Sequence, residues 1–269
     1  MANGCELAAG VDSRAQIDAE ATIGPYCVIG PEVQIGCGTR LEDHVTIVGR
    51  VTIGRHNHLH SGVLIGNLTG RGGSAVIGDH NVLREAVTVR PNGPQGPPTT
   101  IGHHNYLMAA THVGRGCRLG DQIIMANAAR LGALVVVGRH AFLSGGVLVE
   151  PRVTIGAYAF ISILSRVRRD APPFMMIEGK PPRPRCVNLV GLKRHGFSAQ
   201  DIRALAKAHR LIYRDRVDLP QAYEILTQAG MMIEPVGELF DFVQAQRAGT
   251  RGRASRVSRG GIKPKQNHG

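Results

Sequence analysis

Three histidines alternate with other residues in the segment Arg55-His56-Asn57-His58-Leu59-His60. Successive side chains of a β-strand point to opposite faces, so this alternation would place all three imidazoles on one face. Imidazoles that share a face are either ligands for a metal such as zinc or surface groups. The five cysteines are scattered and lack the CxxC spacing of a metal finger, so we expect reduced thiols.

Two adjacent cations, Lys193 and Arg194, could bind a phosphate group. An arginine binds phosphate through paired N–H donors, and a lysine binds it as a point charge. The alternative is a structural ion pair at the junction between two domains.

The formal net charge of the chain is +12, and part of it lies at the C-terminal end. From Arg251 onward the charged residues are all basic and almost nothing is apolar, so we expect a disordered tail. Aromatic residues make up 4% of the chain and Trp is absent, so nucleic acid is not an expected partner. No apolar run is long enough to span a membrane and the first residues do not resemble a signal peptide, which favours the cytoplasm.

A six-residue repeat covers most of the chain and would position these groups. A branched aliphatic residue or methionine recurs every six residues from Val11 to Ile65, from Ile77 to Val89 and from Ile101 to Val167. Glycine often follows it, as in Ile23-Gly24 and Ile155-Gly156. Such hexads predict short strands and tight corners at which glycine supplies unusual backbone angles. Three hexads close one coil, and about eight coils stacked at roughly 4.8 Å form an all-β left-handed parallel β-helix.

Two segments interrupt the repeat, and composition divides the rest of the chain. The segments 67–75 and 90–99 are rich in Gly and Pro and must leave the prism as loops, which often carry binding groups. The predicted parts are an N-terminal segment 1–10, the β-helix 11–171, a proline-rich connector 172–197, a small α-helical domain 198–247 and the basic tail 248–269. Helices are predicted after a capping box at Ser198-Ala199-Gln200-Asp201, from Pro220 to about Gln228, and from about Pro235 to Gln246.

Four motifs carry a resemblance to a known family. They are Ile77-Gly78-Asp79-His80-Asn81 with Arg84-Glu85-Ala86-Val87-Thr88, then Asn105-Tyr106-Leu107-Met108 with His112 and Cys117, then Asp170-Ala171-Pro172-Pro173, and the segment from Asn188 to Ser198. Together they resemble the UDP-N-acetylglucosamine O-acyltransferase family of lipid A synthesis, which belongs to the hexapeptide-repeat acyltransferases.

The resemblance implies a cofactor-independent homotrimer with its sites between neighbouring prisms. Such an enzyme transfers a fatty acyl group from acyl carrier protein to the 3-hydroxyl of UDP-N-acetylglucosamine. A histidine acts as the general base, an adjacent Asp orients it, and a backbone N–H in the next coil stabilises the oxyanion. By the same resemblance, His112, Asn188 and Arg194 are expected to contact the nucleotide sugar.

The chain departs from this pattern at the catalytic positions. Arg115 stands at the position of the base and Gly116 at that of the orienting Asp, while Ala133 takes the oxyanion position. A guanidinium stays protonated and cannot act as a base. Leu134 and Glu150-Pro151 also replace polar family residues.

Two neighbouring groups remain to be assigned. His112 is the candidate for a substitute base. The alternative is a structural role, in which His112 is hydrogen-bonded and stacks above Arg130, one coil away. We expect Glu150 to form an ion pair with Arg115 rather than act as a base.

Two functions remain open at this point. The first is acyl transfer to a nucleotide-linked amino sugar through a rearranged site. The second is a catalytically inactive paralogue that binds a nucleotide sugar, acyl carrier protein or a partner acyltransferase. A metal is not expected, because the His-x4-His pattern of the zinc-binding γ-class carbonic anhydrases, which share this architecture, is absent from the histidine trio.

Overall fold

Most hexads form one strand of two to four residues that ends at the repeated aliphatic residue. A computed structural model describes residues 9–66, 73–250 and 252. Successive strands fall into three sheets, and within the prism strands pair in parallel with the strand one coil later. The result is a left-handed parallel β-helix followed by four α-helices, which confirms the predicted fold.

The three sheets hold nine, eight and ten strands. The first sheet contains β1 (Gly10–Val11), β4 (Val28–Ile29), β7 (Thr46–Val48), β10 (Leu64–Gly66), β13 (Thr88–Val89), β16 (His112–Val113), β19 (Arg130–Leu131), β22 (Leu148–Val149) and β25 (Arg166–Val167). The second contains β2 (Gln16–Ile17), β5 (Val33–Ile35), β8 (Arg50–Ile53), β11 (Ser74–Ile77), β14 (Thr99–Ile101), β17 (Arg118–Leu119), β20 (Val136–Val137) and β23 (Thr154–Ile155). The third contains β3 (Thr22–Ile23), β6 (Arg40–Leu41), β9 (His58–Leu59), β12 (Val82–Leu83), β15 (Tyr106–Leu107), β18 (Ile124–Met125), β21 (Phe142–Leu143), β24 (Phe160–Ile161), β26 (Met175–Glu178) and β27 (Arg183–Val187).

The repeated aliphatic residues line the interior of the prism. From Ile29 to Val167, each of them is at most 4% exposed. Val11, in the first coil, is 42% exposed because only one neighbouring coil covers it. Burying one such side chain stabilises the fold by about 1.5–3 kcal/mol, so the repeat itself supplies the core.

The corners of the prism differ from the expectation about glycine. Each corner is numbered by the sheet that precedes it. The first corner leads from the first to the second sheet, the second corner from the second to the third, and the third corner from the third back to the first. The positive φ angle falls three residues after the aliphatic residue, as at Tyr26 and His44, with φ of 58° and 56°. The glycine that directly follows is needed for a different reason. A Cβ at Gly24 would lie 2.6 Å from the carbonyl oxygen of Glu42 in the next coil, so the close stacking of coils excludes a side chain there.

A ladder of three buried asparagines occupies the inside of the second corner. The Nδ2 of Asn81 donates to Oδ1 of Asn57 at 3.0 Å, and the Nδ2 of Asn105 donates to Oδ1 of Asn81 at 2.9 Å. Thr39 Oγ1 accepts from the Asn57 amide at one end, and Asn105 Oδ1 accepts from the Ile123 amide at the other. The ladder therefore bonds five successive coils through side chains inside an otherwise apolar prism.

The segment 172–197, predicted as a connector, contains regular structure. Strand β26 continues the third sheet in parallel, and β27 closes that sheet in the antiparallel sense. The helices are α1 (Leu189–Arg194), α2 (Ala199–His209), α3 (Leu219–Gln228) and α4 (Glu234–Arg247), with a π-helical turn over Arg210–Arg214 after α2.

The start of α2 is capped by the box that the sequence predicts. Ser198 Oγ accepts from the Asp201 amide at 3.1 Å, and Asp201 Oδ2 accepts from the Ser198 amide at 2.9 Å. None of the helices within the described residues is long and apolar enough to cross a bilayer. The disorder predicted for the basic tail concerns residues that mostly lie outside the described part of the chain.

Candidate active site

Both interruptions of the repeat fall at the first corner, beside the residues that the family resemblance marks as catalytic. Strand β10 ends at Gly66 and β11 begins at Ser74, while β13 ends at Val89 and β14 begins at Thr99. Arg71 of the first loop lies outside the described residues. The second loop is closed by Thr99, whose Oγ1 donates to the carbonyl of Arg90 at 2.7 Å and accepts from the Gly116 amide at 2.8 Å.

His112 begins β16 and points outward beside this corner. Its Nδ1 shares a 2.7 Å hydrogen bond with Oγ1 of Thr88, and the register places Arg130 on its other side. The hydrogen-bonded position above Arg130 that we considered from the sequence is therefore present. Burial, together with the positive charges of Arg90 and Arg130, lowers the pKa of His112 below its usual value of 6.5. A neutral imidazole with one nitrogen engaged is chemically able to accept a proton at the other.

Arg115 and Gly116 form the corner that follows. Arg115 is exposed, and it forms no ion pair with any residue that the structure describes. Gly116 is buried with φ of 67°, and a Cβ on it would lie 2.6 Å from Cδ2 of Leu134 and 2.8 Å from Nδ2 of Asn92. The space that an orienting carboxylate would need is therefore filled by Leu134 and by the second loop.

The backbone amide of Ala133 occupies the position that the resemblance assigns to the oxyanion donor. Over residues 9–66 and 73–250, this amide donates no hydrogen bond. The next amide, that of Leu134, is already used, because it donates to the carbonyl of Arg115 at 2.7 Å. Ala133 therefore keeps a donor that a developing negative charge could use.

Glu150 has a different partner from the one expected. Its Oε1 lies 2.6 Å from Nη2 and 2.8 Å from Nε of Arg166, one coil further along the prism. The prediction of an ion pair with Arg115 was wrong, because the carboxylate turns to Arg166 of the adjoining strand, which pairs with Leu148, two residues before Glu150. Cys117, also at this corner, is buried and its thiol donates to the carbonyl of Gly132 at 3.1 Å. Burial raises the pKa of this thiol to about 11, so it is no nucleophile at neutral pH.

A cavity of about 750 Å³ lies between the third sheet and helix α1. Its floor is a strip of outward-facing apolar side chains that stack coil on coil, and its rim carries polar and basic groups. The lining residues are His104, Tyr106, Gln122, Ile124, His140, Ala141, Phe142, Phe160, Met176, Asn188, Val190, Gly191, Arg194 and His195. This is the volume of a typical small-ligand site.

Asn188 and Arg194, both expected to bind substrate, line this cavity at the two ends of α1. Asn188 is 6% exposed and caps the helix, with Oδ1 accepting from the Gly191 amide and Nδ2 donating to the carbonyl of Tyr158 at 2.9 Å. One N–H and one lone pair of its amide remain. Arg194 is exposed and forms no ion pair within the described part of the chain, so its guanidinium is available to an anion in the cavity. The structural ion pair considered for Arg194 is thus absent from these residues.

The structure does not bring His112 and the cavity together within one chain. His112 belongs to the first sheet, whereas the floor of the cavity belongs to the third sheet. Within one prism, the two halves of the predicted site therefore lie on different faces.

Sequence reasoning missed several residues of the cavity. The apolar strip was visible as Tyr106, Ile124, Phe142 and Phe160, which precede the repeated aliphatic residue in successive coils. His140 was also missed, although its buried Nδ1 has no partner among the described residues and its ring lies 4.4 Å from that of His195. Burial, with smaller contributions from the neighbouring His195 and Arg139, lowers the pKa of His140.

The histidine trio divides between two corners. His58 and His60 lie together, with ring centroids 4.0 Å apart and Glu42 within reach of both. His56 lies at the second corner and stacks on His80 at 5.1 Å. The prediction of one shared face was wrong for His56, because the strand begins only at His58.

Comparison with known proteins places these features in a family. A family model described as Udp N-acetylglucosamine O-acyltransferase, Domain 2, matches residues 170–253, and one described as GMPPB C-terminal domain matches residues 7–93. The solved structure of LpxA from Acinetobacter baumannii is 31% identical, with 86% of this chain and 95% of that one covered and a TM-score of 0.77. The UDP-N-acetylglucosamine O-acyltransferase from Moraxella catarrhalis is 30% identical, with 89% and 96% covered and a TM-score of 0.82.

This chain belongs to the UDP-N-acetylglucosamine O-acyltransferase family. The sequence resemblance drawn from the four motifs is thereby confirmed. A curated relative, the Acyl-[acyl-carrier-protein]--UDP-N-acetylglucosamine O-acyltransferase of Alkalilimnicola ehrlichii, is 40% identical over 138 residues. That match covers 51% of this chain and 54% of the relative, so the chain spans about half the length of this member of the family.

Proposed function

We propose that this chain transfers an acyl group from acyl carrier protein to the 3-hydroxyl of UDP-N-acetylglucosamine, with a slow chemical step. The cavity beneath α1 carries this proposal. It offers a cation, Arg194, for a phosphate and an apolar strip for hydrocarbon, which are the two chemical features that an acylated sugar nucleotide presents. The names of the family relatives describe the same pair of substrates.

His112 is the group that we propose to take the proton from the sugar hydroxyl. When Nδ1–H donates to Oγ1 of Thr88, Nε2 holds the lone pair. The hydroxyl oxygen then attacks the thioester carbonyl carbon, and the amide of Ala133 stabilises the oxyanion. The carbon–sulfur bond breaks, an ester forms, and the proton passes from His112 to the thiolate that leaves on the carrier protein, which becomes a thiol.

The chemical step should be slow because His112 works without an orienting carboxylate. General base catalysis contributes about 10² to 10⁴ in rate, and Thr88 is a weaker orienting partner than a carboxylate. Arg115 would then bind an anionic group, a phosphate or an acidic surface of the carrier protein.

A second function is favoured by one observation at the same corner. Leu134 and Asn92 fill the space beside Gly116, which would suit a protein that binds the family's substrates without turning them over. This candidate is a catalytically inactive paralogue that binds a nucleotide sugar, acyl carrier protein or a partner acyltransferase.

A homotrimer in the cytoplasm belongs to the same proposal. Parallel association of three prisms would bring the first corner of one chain to the third sheet of its neighbour and so join His112 to the cavity. The described cysteines Cys27, Cys37, Cys117 and Cys186 are all unpaired, as in a reducing compartment. A stable monomer in sedimentation experiments at micromolar concentration would contradict the trimer.

The test is an acyl-transfer assay with acyl carrier proteins of several chain lengths and labelled UDP-N-acetylglucosamine. The Acinetobacter baumannii relative serves as the reference enzyme. We expect turnover about 10² to 10⁴ below the reference, and binding of the sugar nucleotide by calorimetry. Binding without turnover would establish the second function, and the absence of both would overturn the two proposals together. Calorimetry on Arg115→Ala should show weaker binding of carrier protein or sugar nucleotide.

His112→Ala should lower the residual turnover by a further factor of about 10² and leave sugar nucleotide binding within a few-fold. His44→Ala, at the third corner, is the control and should keep the rate. Because the pKa of His112 lies below 6.5, turnover should persist into mildly acidic solution and fall only as the pH drops through that lowered value. A rate indifferent to His112→Ala would exclude it as the base.

A further inference from the structure

Glu42, His58 and His60 form a compact cluster at the third corner, on the face of the prism near its N-terminal end. Glu42 Oε1 lies 2.9 Å from Nε2 of His58, and Glu42 Oε2 lies 3.3 Å from Nδ1 of His60. One ligand-type atom from each of the three residues lies within 4.8 Å of the other two. The side chains of Glu42, His58 and His60 are 27%, 34% and 17% exposed, so the cluster is half-buried but reachable from solvent.

We propose that Glu42, His58 and His60 bind one divalent transition metal ion of the zinc class. Zinc binds imidazole nitrogen and carboxylate oxygen at about 2.0–2.2 Å, which sets its tetrahedral ligands about 3.3 Å apart. The two separations of 2.9 and 3.3 Å, one to each carboxylate oxygen, are close to that spacing, and all three ligand atoms lie within 4.8 Å of one another, so the side chains need only close around the ion. Imidazole and carboxylate together suit zinc, cobalt and nickel, whereas calcium and magnesium prefer oxygen ligands alone.

The backbone holds the three ligands in place without the metal. Leu41 pairs with Leu59 across β6 and β9, the Glu42 amide donates to the carbonyl of Leu59 at 2.8 Å, and the His60 amide is held by the next coil. The Ser61 hydroxyl lies 3.4 Å from Oε2 of Glu42 but makes its shorter hydrogen bond to Oδ1 of Asp43. Such support of ligands by neighbouring groups is typical of metal sites in proteins.

The charges around the cluster are mixed and on balance favour a cation. Asp43 and Glu85 add negative charge, and Glu85 Oε1 lies 3.7 Å from Nδ1 of His60, near enough to become a fourth ligand or to leave that position to water. Arg84 opposes this, because its Nη2 is paired with Glu85 at 2.9 Å.

The test is binding of zinc alone to the tag-free, metal-stripped chain, measured by calorimetry and by metal content after dialysis. We expect about one ion per chain at micromolar free zinc and a rise of several degrees in the thermal midpoint. Glu42→Gln and His60→Asn should each weaken binding by about tenfold or more. His103→Ala is the matched control, since His103 pairs with Asp79 at 3.4 Å without a third ligand, and it should bind zinc as the unaltered chain does.

Cobalt provides a second readout that does not depend on stability. With nitrogen and oxygen ligands, cobalt should give weak visible bands that disappear in Glu42→Gln. An intense near-ultraviolet band from thiolate ligation would place the ion at a cysteine such as Cys37 and would overturn the proposal. Unchanged zinc content in both Glu42→Gln and His60→Asn, or no binding at about 100 µM zinc, would overturn it as well.

Discussion

The first and second corners of the prism are turned by the same hexads but are filled in different ways. At the second corner, Asn57, Asn81 and Asn105 bond one coil to the next inside the prism, and His56, His80 and His104 stack outside it. Both interruptions of the repeat fall at the first corner, where the loop residue Asn92 and Leu134 each lie close to Gly116. One corner is thus fixed by repeated contacts between coils, whereas the other is shaped by single residues that change from coil to coil.

This contrast coincides with the division that the sequence resemblance predicts between retained and altered site positions. The cavity beneath α1 rests on the repeated second corner and the third sheet, and Asn188 and Arg194 are retained there. The residues expected to carry the chemistry lie at the first corner, where Arg115, Gly116 and Leu134 depart from the pattern. Residues at a corner that bond few neighbours can be substituted with little cost to the stability of the fold. Residues that serve catalysis could therefore change while those that serve binding stay the same.

The largest effect should come from the second corner. Asn81→Ala would leave the backbone and side-chain donors of Asn105 without an acceptor inside the prism. At about 1–3 kcal/mol for each buried unsatisfied donor, we expect a loss of roughly 4 kcal/mol of stability in urea unfolding. A loss below about 1 kcal/mol would mean that the ladder does not hold this corner.

The next effect concerns the cavity. Arg194→Ala should weaken UDP-N-acetylglucosamine binding by about 10- to 100-fold, as expected when a charged hydrogen bond of about 1.5–3 kcal/mol is removed. Lys193→Ala removes the same charge one residue earlier, but Lys193 does not line the cavity, so binding should change less than about threefold. Equal losses in the two variants would indicate a general effect of charge rather than a site.

A smaller effect is expected from rebuilding the first corner. Arg115→His with Gly116→Asp would introduce the base and the orienting carboxylate that the sequence resemblance predicts for these positions, but turnover should rise less than about tenfold. The new Asp would collide with Leu134 and Asn92, and groups that act as a unit are not additive. Adding Leu134→Ala should raise turnover beyond the double variant. A fully active double variant would show that the corner is more adaptable than its packing indicates.

The smallest effect on stability is expected at the third corner, where a buried polar group serves as a control for the satisfied amides of the asparagine ladder. The hydroxyl of Thr111 is buried inside this corner and finds no hydrogen-bonding partner among the described residues. Thr111→Val keeps the shape and removes the unsatisfied group, so the protein should gain about 1 kcal/mol of stability. Destabilisation in the same urea measurement would show that an unseen partner holds the hydroxyl.

The fold could be predicted from the sequence because its pattern is local and repeated. A buried aliphatic residue every six positions is visible without knowledge of any long-range contact, and so is the capping box at Ser198. The asparagine ladder left a comparable signal in Ile53-Gly54-Arg55-His56-Asn57, Ile77-Gly78-Asp79-His80-Asn81 and Ile101-Gly102-His103-His104-Asn105. We missed it because polar side chains are ordinarily excluded from a core unless they satisfy one another.

The details of the sites were harder to predict because they depend on distances between coils and loops. The obstruction over Gly116 involves Asn92, whose position follows from the path of a loop that no hexad defines. The Glu42 and His58 pair joins residues sixteen apart, a spacing that becomes a contact only when the coil closes. The partner of Glu150 was wrong for the same reason, since the coil places Arg166 nearer than Arg115.

The asparagine ladder also bears on how the chain finds its own alignment while folding. Because the interior is almost uniformly aliphatic, one coil stacked on the wrong neighbour would bury nearly as much apolar surface as on the right one. A shift by one coil would, however, place an asparagine at one end of the ladder beside Ile123 or Thr39 instead of beside another asparagine. Its side-chain amide would then lose a hydrogen bond inside the apolar prism. The ladder therefore specifies the order of the coils, which the hydrophobic repeat alone does not. The asparagine amides can be buried with their hydrogen bonds satisfied only when the coils stack in the correct order.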